Sequence, residues 1–169
     1  SNNQGKKSVN IFQNENISLD DKFYTIMDIQ ISKFKEIEEG YSTRHAIEEA
    51  KRCLNCKNPQ CVKGCPIENN IPQFIHALSK GNMGDALEQI NLKSNLPAIC
   101  GRVCPHEKQC EGHCVLNKKG QPIRIGKLER FVADFDSSIG LIHENIKPKN
   151  RGKVAVIGSG PAGLTVAGD

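Results

Sequence analysis

Apolar positions along this chain recur mostly at helical spacing and rarely alternate, which predicts a helical protein with one strand near its end. Residues 1–19 are polar and aperiodic and read as a flexible arm. Between Asp20 and Glu39, apolar side chains fall at Phe23, Ile26, Met27, Ile31, Phe34 and Ile37, which predicts one or two helices stopped at Gly40. Ser42 or Thr43 stands where a cap is needed for a helix running to about Leu54, with Ala46, Ile47, Ala50 and Leu54 on one face. Ile71-Pro72 opens a short helix carrying Phe74, Ile75 and Leu78, because proline is tolerated where no N–H partner exists. Gly81 ends that helix, and Asn82 starts another with Met83, Ala86, Leu87 and Ile90 on one face. Pro97 breaks the next segment. After Gly120 and Pro122, the residues Ile125, Leu128, Phe131, Val132 and Phe135 make a strongly amphipathic helix.

Residues 137–152 are rich in Ser, Gly, Pro and basic side chains and read as a linker. Lys153-Val154-Ala155-Val156-Ile157 reads as a buried parallel strand that runs into Gly158-Ser159-Gly160-Pro161-Ala162-Gly163. The division expected is therefore an arm over 1–19, an all-α domain over 20–136, a linker over 137–152 and a separate element over 153–169.

Composition adds a constraint on the core. Hydrophobic residues are 37% of the 169, aromatics 5%, and there is no Trp, so the organic core is thin and something else should help hold it. A formal charge of +4 on scattered basic residues, with no aromatics interleaved, describes a solvated surface and not a nucleic-acid face. No apolar run is long enough to span a membrane, and no signal-peptide pattern stands at the start, so a cytoplasmic location is expected.

Eight cysteines fall in two groups. The first is Cys53-x2-Cys56-x4-Cys61-x3-Cys65 followed by Pro66. The second is Cys100-x3-Cys104-x5-Cys110-x3-Cys114, with Pro105 after Cys104. Disulfides need an oxidising compartment, for which no export signal speaks. Structural zinc prefers paired CxxC knuckles, and only Cys53 and Cys56 have that gap, although His106 and His113 are available as substitute ligands. A redox-active CxxC belongs beside a βαβ pattern, which is absent from these helical surroundings. Iron–sulfur clusters fit best. A 4Fe-4S core is wide and takes closely spaced thiolates plus a remote one, and a Cys-Pro step is typical of two-cluster ferredoxins. Two cluster cores and seven thiolates would bring the charge from +4 to about +1.

Longer blocks around these cysteines carry a resemblance. They are Phe34-Lys35-Glu36-Ile37-Glu38-Glu39-Gly40-Tyr41, Glu49-Ala50-Lys51-Arg52-Cys53-Leu54-Asn55-Cys56 and Pro59-Gln60-Cys61-Val62-Lys63-Gly64-Cys65-Pro66-Ile67. Asn95-Leu96-Pro97-Ala98-Ile99-Cys100-Gly101-Arg102-Val103-Cys104-Pro105, Gln109-Cys110-Glu111-Gly112-His113-Cys114 and Pro122–Phe131 continue the series. Over about residues 34–169 the chain resembles the N-terminal domain of NADPH-dependent glutamate synthase small subunits. That domain is shared with ferredoxin:NADP oxidoreductase large subunits, sulfide dehydrogenases and dihydropyrimidine dehydrogenase.

The resemblance implies an α-helical ferredoxin fold with two 4Fe-4S clusters. It assigns Cys53, Cys56, Cys61 and Cys114 to one cluster and Cys65, Cys104 and Cys110 to the other, with Glu129 as the fourth ligand and Cys100 as its rival. The bland alternative for Glu129 is a surface carboxylate paired with Arg130 or Lys127, and for Cys100 a small buried apolar residue. His113 is a candidate to tune a cluster through a hydrogen bond to sulfur, or else a polar loop residue. Arg102 and Lys63 are candidates to offset cluster charge, or else solvated side chains.

Gly158-x-Gly160-x-x-Gly163 after a strand has the form of a dinucleotide-binding turn, whose glycines admit the pyrophosphate and a close helix. The resemblance implies FAD there and NADPH beyond it. The chain ends at Asp169, before the acidic residue expected about 20 positions after the turn, so it is expected to be a fragment that is inactive alone. No residue here is expected to perform substrate chemistry. The expected role is electron transfer within an NADPH-dependent flavin oxidoreductase, towards a large glutamate synthase subunit or another redox partner. The competing role is a zinc-binding or metal-free docking domain.

Overall fold

The computed structural model describes residues 36–139 and 152–168. The chain divides into two compact units, Ser1–Glu39 and Gly40–Asp169. Of the first, residues 36–39 are described. They form a bend in place of the helix end that the apolar period predicts, and Ile37 is exposed, with no packed face to hold a helix there. The predicted arm over 1–19, the helical stretch from Asp20 to Lys35 and the linker over 140–151 lie outside the described residues.

The second unit is helical, and among the described residues there is no strand. Its helices are α1 (Thr43–Lys51), α2 (Gln60–Lys63), α3 (Ile71–Ser79), α4 (Met83–Asn91), α5 (Pro97–Val103), α6 (Ile125–Ile139) and α7 (Pro161–Gly168). A short 3-10 turn covers Val115–Lys119.

Local chemistry sets most of these starts. The Ser42 hydroxyl accepts the His45 N–H at 3.3 Å at the head of α1, and Asn82 Oδ1 accepts the Asp85 N–H at 3.2 Å at the head of α4. Pro72 stands in the first turn of α3. Pro97 does the same for α5, so it begins a helix where the sequence pattern reads a break; an N-terminal proline sacrifices no hydrogen bond. Gly81, at φ +78°, turns the chain between α3 and α4 in the left-handed region that glycine tolerates best.

Three expectations are corrected. Helix α1 stops at Lys51, and Leu54 is 62% exposed, because the chain leaves the helix to bring Cys53 and Cys56 round through Asn55 at φ +46°. Residues 137–139 belong to α6 and not to a linker. Lys153–Ile157 forms no strand, and Val154 and Ile157 are 86% and 98% exposed. A parallel strand exists only with a neighbour to share its ladder, and no other strand is present among the described residues. The turn at Gly158, at φ +112°, does lead into α7, and a Cβ on Gly163 would strike the Gly158 carbonyl.

Packing is pairwise. Helix α5 lies along α6, α3 along α4, and α1 along α3, while α4 also meets α6. The core is Ala46 and Ala50 of α1, Ile71, Phe74, Ile75 and Leu78 of α3, Met83, Ala86, Leu87 and Ile90 of α4, and Ile125, Leu128, Phe131 and Val132 of α6. Each large side chain fully buried here contributes about 1.5–3 kcal/mol. Cys53, Cys61, Cys65, Cys110 and Cys114 border the same cluster, so the core continues directly into the cysteine loops.

Helices α5 and α6 meet closely at Gly101. A Cβ there would lie 2.6 Å from the Arg130 backbone nitrogen and 2.8 Å from its Cα. Arg102 then clamps the pair by donating to both oxygens of Asp134, at 2.9 and 2.8 Å, and Arg130 Nε adds a bond to Asp134 at 3.4 Å.

Candidate metal centre

The two cysteine groups do not form two sites in sequence order. One cavity is lined by Cys53, Cys56, Cys61 and Cys114, closed by Leu54, Pro59, Ile75, Leu116 and Ile123. A second is lined by Cys65, Cys100, Cys104, Cys110 and Glu129, with Pro66, Ile67, Asn69, His106 and Gln109. Ile71 and Ile125 line both, so the cavities sit side by side with two branched apolar side chains between them.

Folding of the loops explains the exchange of partners. The single helical turn α2 carries Cys61 to the first cavity, and the chain just beyond its Gly64 cap carries Cys65 to the second. Gly64 lets this turn press on the Cys110–Cys114 loop: a Cβ there would lie 2.5 Å from His113 Nδ1 and 2.8 Å from the Gln109 carbonyl. The second loop is fixed to α6 through Glu111. This carboxylate is buried and accepts the Gly126 N–H at 3.1 Å, with Arg124 at 3.4 Å. Glu49 of α1 accepts the Arg124 N–H at 2.9 Å, and Arg52 donates to the Gln121 carbonyl at 2.8 Å, tying the turn that bears Cys53 to the same region.

Electrostatics follow the same partition. Burial pushes the Cys61 thiol up to about 11, helped by the charges of Cys114, Cys53 and Cys56. Cys53 is raised by burial and then by Cys114 and Cys56. Burial raises Cys104 to about 11, with Cys100, Glu129 and Cys65 adding to it, and raises Cys110 to about 12, with Glu111, Cys65 and Glu129 adding. Each of these four thiols is thus opposed by members of its own cavity. Without a cation the protons stay on, and a bound cationic core would displace them.

Glu129 is 8% exposed, and no hydrogen bond or ion pair to it is seen among the described residues. The pairing with Arg130 or Lys127 does not form: Arg130 goes to Asp134, and Lys127 Nζ lies 5.8 Å from the centre of the Tyr41 ring. Burial alone lifts the Glu129 carboxyl to about 7. Cys100 lines the same cavity but already has neighbours: its sulfur receives the buried Ser94 hydroxyl at 3.9 Å and it is hydrogen-bonded to Cys104.

The candidates to tune or offset charge find other work. His113 is exposed, with Nδ1 2.7 Å from the Gln109 carbonyl, as a loop residue would be. Arg102 is committed to Asp134, and Lys63 is exposed. Glu111 escaped the sequence reading, because an acidic side chain next to a cysteine gives no spacing signal, and His106, weighed there only as a substitute zinc ligand, lines the second cavity.

These donors fit an iron–sulfur group. All eight cysteines are free thiols. Among the described residues no three Cys, His, Asp or Glu side chains meet where a single ion would sit, so the thiols surround a space and not a point. His106 Nε2 is buried without a partner beside that space. Soft sulfur donors around a void, backed by an unsatisfied polar atom, suit a sulfide-bridged core better than one tetrahedral zinc.

A helical domain with thiol-lined cavities of this kind is an iron–sulfur protein by its form. The chain belongs to the family described as dihydropyrimidine dehydrogenase domain II, 4Fe-4S cluster, whose model matches residues 30–140. It is 40% identical over 136 residues to the glutamate synthase [NADPH] small chain of Halomonas elongata, covering 80% of this chain and 29% of that one. It is 37% identical over 161 residues to the small chain of Escherichia coli, covering 95% and 34%. It is also 40% identical over 129 residues to the NAD-dependent dihydropyrimidine dehydrogenase subunit PreT of Escherichia coli, covering 76% and 31%. The chain therefore spans about a third of the length of the curated relatives it matches. Among the described residues, no helix is long and apolar enough to cross a membrane.

Proposed function

We propose that this chain is the electron-transfer module of an NADPH-dependent flavin and iron–sulfur oxidoreductase of the glutamate synthase small-chain type. Electrons would pass from NADPH through FAD, both held outside the described helical domain, into this domain and on to a partner subunit. In glutamate synthase that partner makes glutamate from glutamine and 2-oxoglutarate; a ferredoxin:NADP or sulfide-oxidising enzyme would use the same module with another partner. A cytoplasmic location belongs to the same reading, since thiols that serve as cluster ligands have to stay reduced.

The observation that carries the reading is the sorting of the thiols into two adjacent cavities. Cys53, Cys56, Cys61 and Cys114 would hold one 4Fe-4S cluster; Cys65, Cys104, Cys110 and Glu129 would hold the other. A bound cluster of this type takes up and returns a single electron. The protein's part is to supply deprotonated thiols, to keep water out with Ile71, Ile75, Ile123 and Ile125, and to hold the two sites side by side. Glu129 is favoured over Cys100 because its charge bears on both Cys104 and Cys110, whereas Cys100 bears on Cys104 and is held by Ser94. Gly158, Gly160 and Gly163 would serve the FAD pyrophosphate in the longer protein.

Metal analysis and a visible spectrum on anaerobically purified protein test this. About eight iron atoms per chain, with a brown absorbance bleached by dithionite, are expected. Glu129→Gln should alter one cluster's signal and Cys100→Ser neither. Zinc without iron, even after anaerobic reconstitution, would leave a structural docking domain in its place.

A further inference from the structure

We propose that His106 donates a hydrogen bond from Nε2 to the sulfur shell of the group in the second cavity, and that this bond raises that group's reduction potential. The inference rests on the reading that an iron–sulfur cluster occupies this cavity.

Nε2 of His106 is the buried side-chain nitrogen or oxygen without a hydrogen-bond partner among the described residues. Such an atom costs free energy wherever it is left unmet, so native structures give it a partner. No protein group stands within hydrogen-bond distance of it. The ring lies against Gly126 so closely that a Cβ there would overlap Cε1 and Nε2. The Gly126 N–H is already given to Glu111 Oε1 at 3.1 Å. What remains on the open side is the cavity, where Cys65, Cys104, Cys110 and Glu129 also face inwards.

The backbone that bears the ring is anchored. The His106 N–H donates to the Cys104 carbonyl at 2.9 Å, and its carbonyl accepts from Gln109, Glu111 and Gly112 at 3.0–3.1 Å. The turn that carries the imidazole is thus fixed, and the ring is seated against Gly126. Loaded thiolates and sulfides are acceptors, and so Nε2 carries the hydrogen as donor. An N–H pointed at sulfur stabilises the state with the extra electron, because that state carries more negative charge. The same bond therefore shifts the potential upwards.

The test uses the full chain, reconstituted anaerobically, with redox titration followed by electron paramagnetic resonance. The second site is identified as the signal altered by Glu129→Gln. In His106→Leu, the ratio of reduced to oxidised centre at that site should fall about tenfold at a fixed solution potential, about 59 mV for one electron. The other signal should stay in place, and His106→Gln, which keeps an N–H near the same position, should recover most of the fall. Wild-type protein labelled with 15N-histidine should show a weak nitrogen coupling at the second site that is absent in His106→Gln.

An unmoved midpoint in His106→Leu overturns the inference, as does an equal fall in His106→Gln. If His106→Leu fails to load, the labelled wild type decides, and no coupling there overturns it. Absence of iron from the wild type overturns both this inference and the cluster reading, whereas two intact clusters with no response at His106 overturn this one alone.

Discussion

Replacing Gly101 with alanine should unload the second cavity while sparing the first. The new Cβ would stand 2.6 Å from Arg130 N and 2.8 Å from Arg130 Cα, against 3.4 Å for an ordinary contact. Both obstructing atoms are helix backbone, so no side chain can swing aside. Helices α5 and α6 would have to separate by about 0.6–0.8 Å, given 3.4 Å less each of those distances. Helix α5 carries Cys100 and leads into Cys104, and α6 carries Glu129, so the shift opens the second cavity directly. None of the first cavity's thiols sits on either helix. Overpacking of this sort costs about 1–3 kcal/mol, and at about 4 °C per kcal/mol the melting temperature should fall by about 4–12 °C. On the proposed two-cluster reading, iron per chain should drop from about eight towards about four, with helicity by circular dichroism kept. Gly152→Ala, where a Cβ meets nothing within 4 Å, is the control. Full iron content and an unchanged melting temperature in Gly101→Ala would refute the claim that this contact sets the second site.

Three further expectations follow from the same structure. Ser42→Ala removes the hydroxyl that accepts the His45 N–H and should cost about 1 kcal/mol in urea unfolding with iron content unchanged. Phe74→Ala empties a fully buried position of α3 and should cost about 3–5 kcal/mol; a loss below 1 kcal/mol would contradict the core described. In metal-free, reduced protein, Glu129 should make stability fall as pH rises. Its folded pKa is raised to about 7 from 4.5 by burial, so below pH 4.5 there is no penalty and above it the unfolded chain ionises first. The loss grows through pH 7 to about 3 kcal/mol, at 1.36 kcal/mol per unit, and should vanish in Glu129→Gln. Equal pH slopes for the two proteins in urea unfolding would refute the assignment.

Much of the helical frame was legible from short-range chemistry. Ser42, Asn82 and Pro72 mark helix starts by what they offer the first turn, and the apolar faces of α3, α4 and α6 are periodic. Pro97 misled because the same residue ends one segment and begins another, and the difference lies in which neighbours bury the following turn. Lys153–Ile157 misled because β-branched composition expresses a preference, while a strand requires a partner.

For the site, the sequence by itself determined the donor chemistry: eight thiols in two groups, with spacing too loose for a pair of zinc knuckles. It did not determine, by spacing, which thiols act together; that division came from resemblance. Only the tertiary structure puts Cys114 with Cys53, Cys56 and Cys61, and Cys65 with Cys104 and Cys110. The physical reason is that a run of short gaps can serve one cavity or two, and the choice is made where Gly64 seats one loop on another and Gly101 seats one helix on another. Glu129, which the resemblance had named, and His106, weighed only as a zinc ligand, are brought to the second cavity by the fold. A carboxylate one turn along from Ile125, or a histidine two residues past a cysteine, has no assigned surroundings until the fold lines a cysteine-bearing cavity with it.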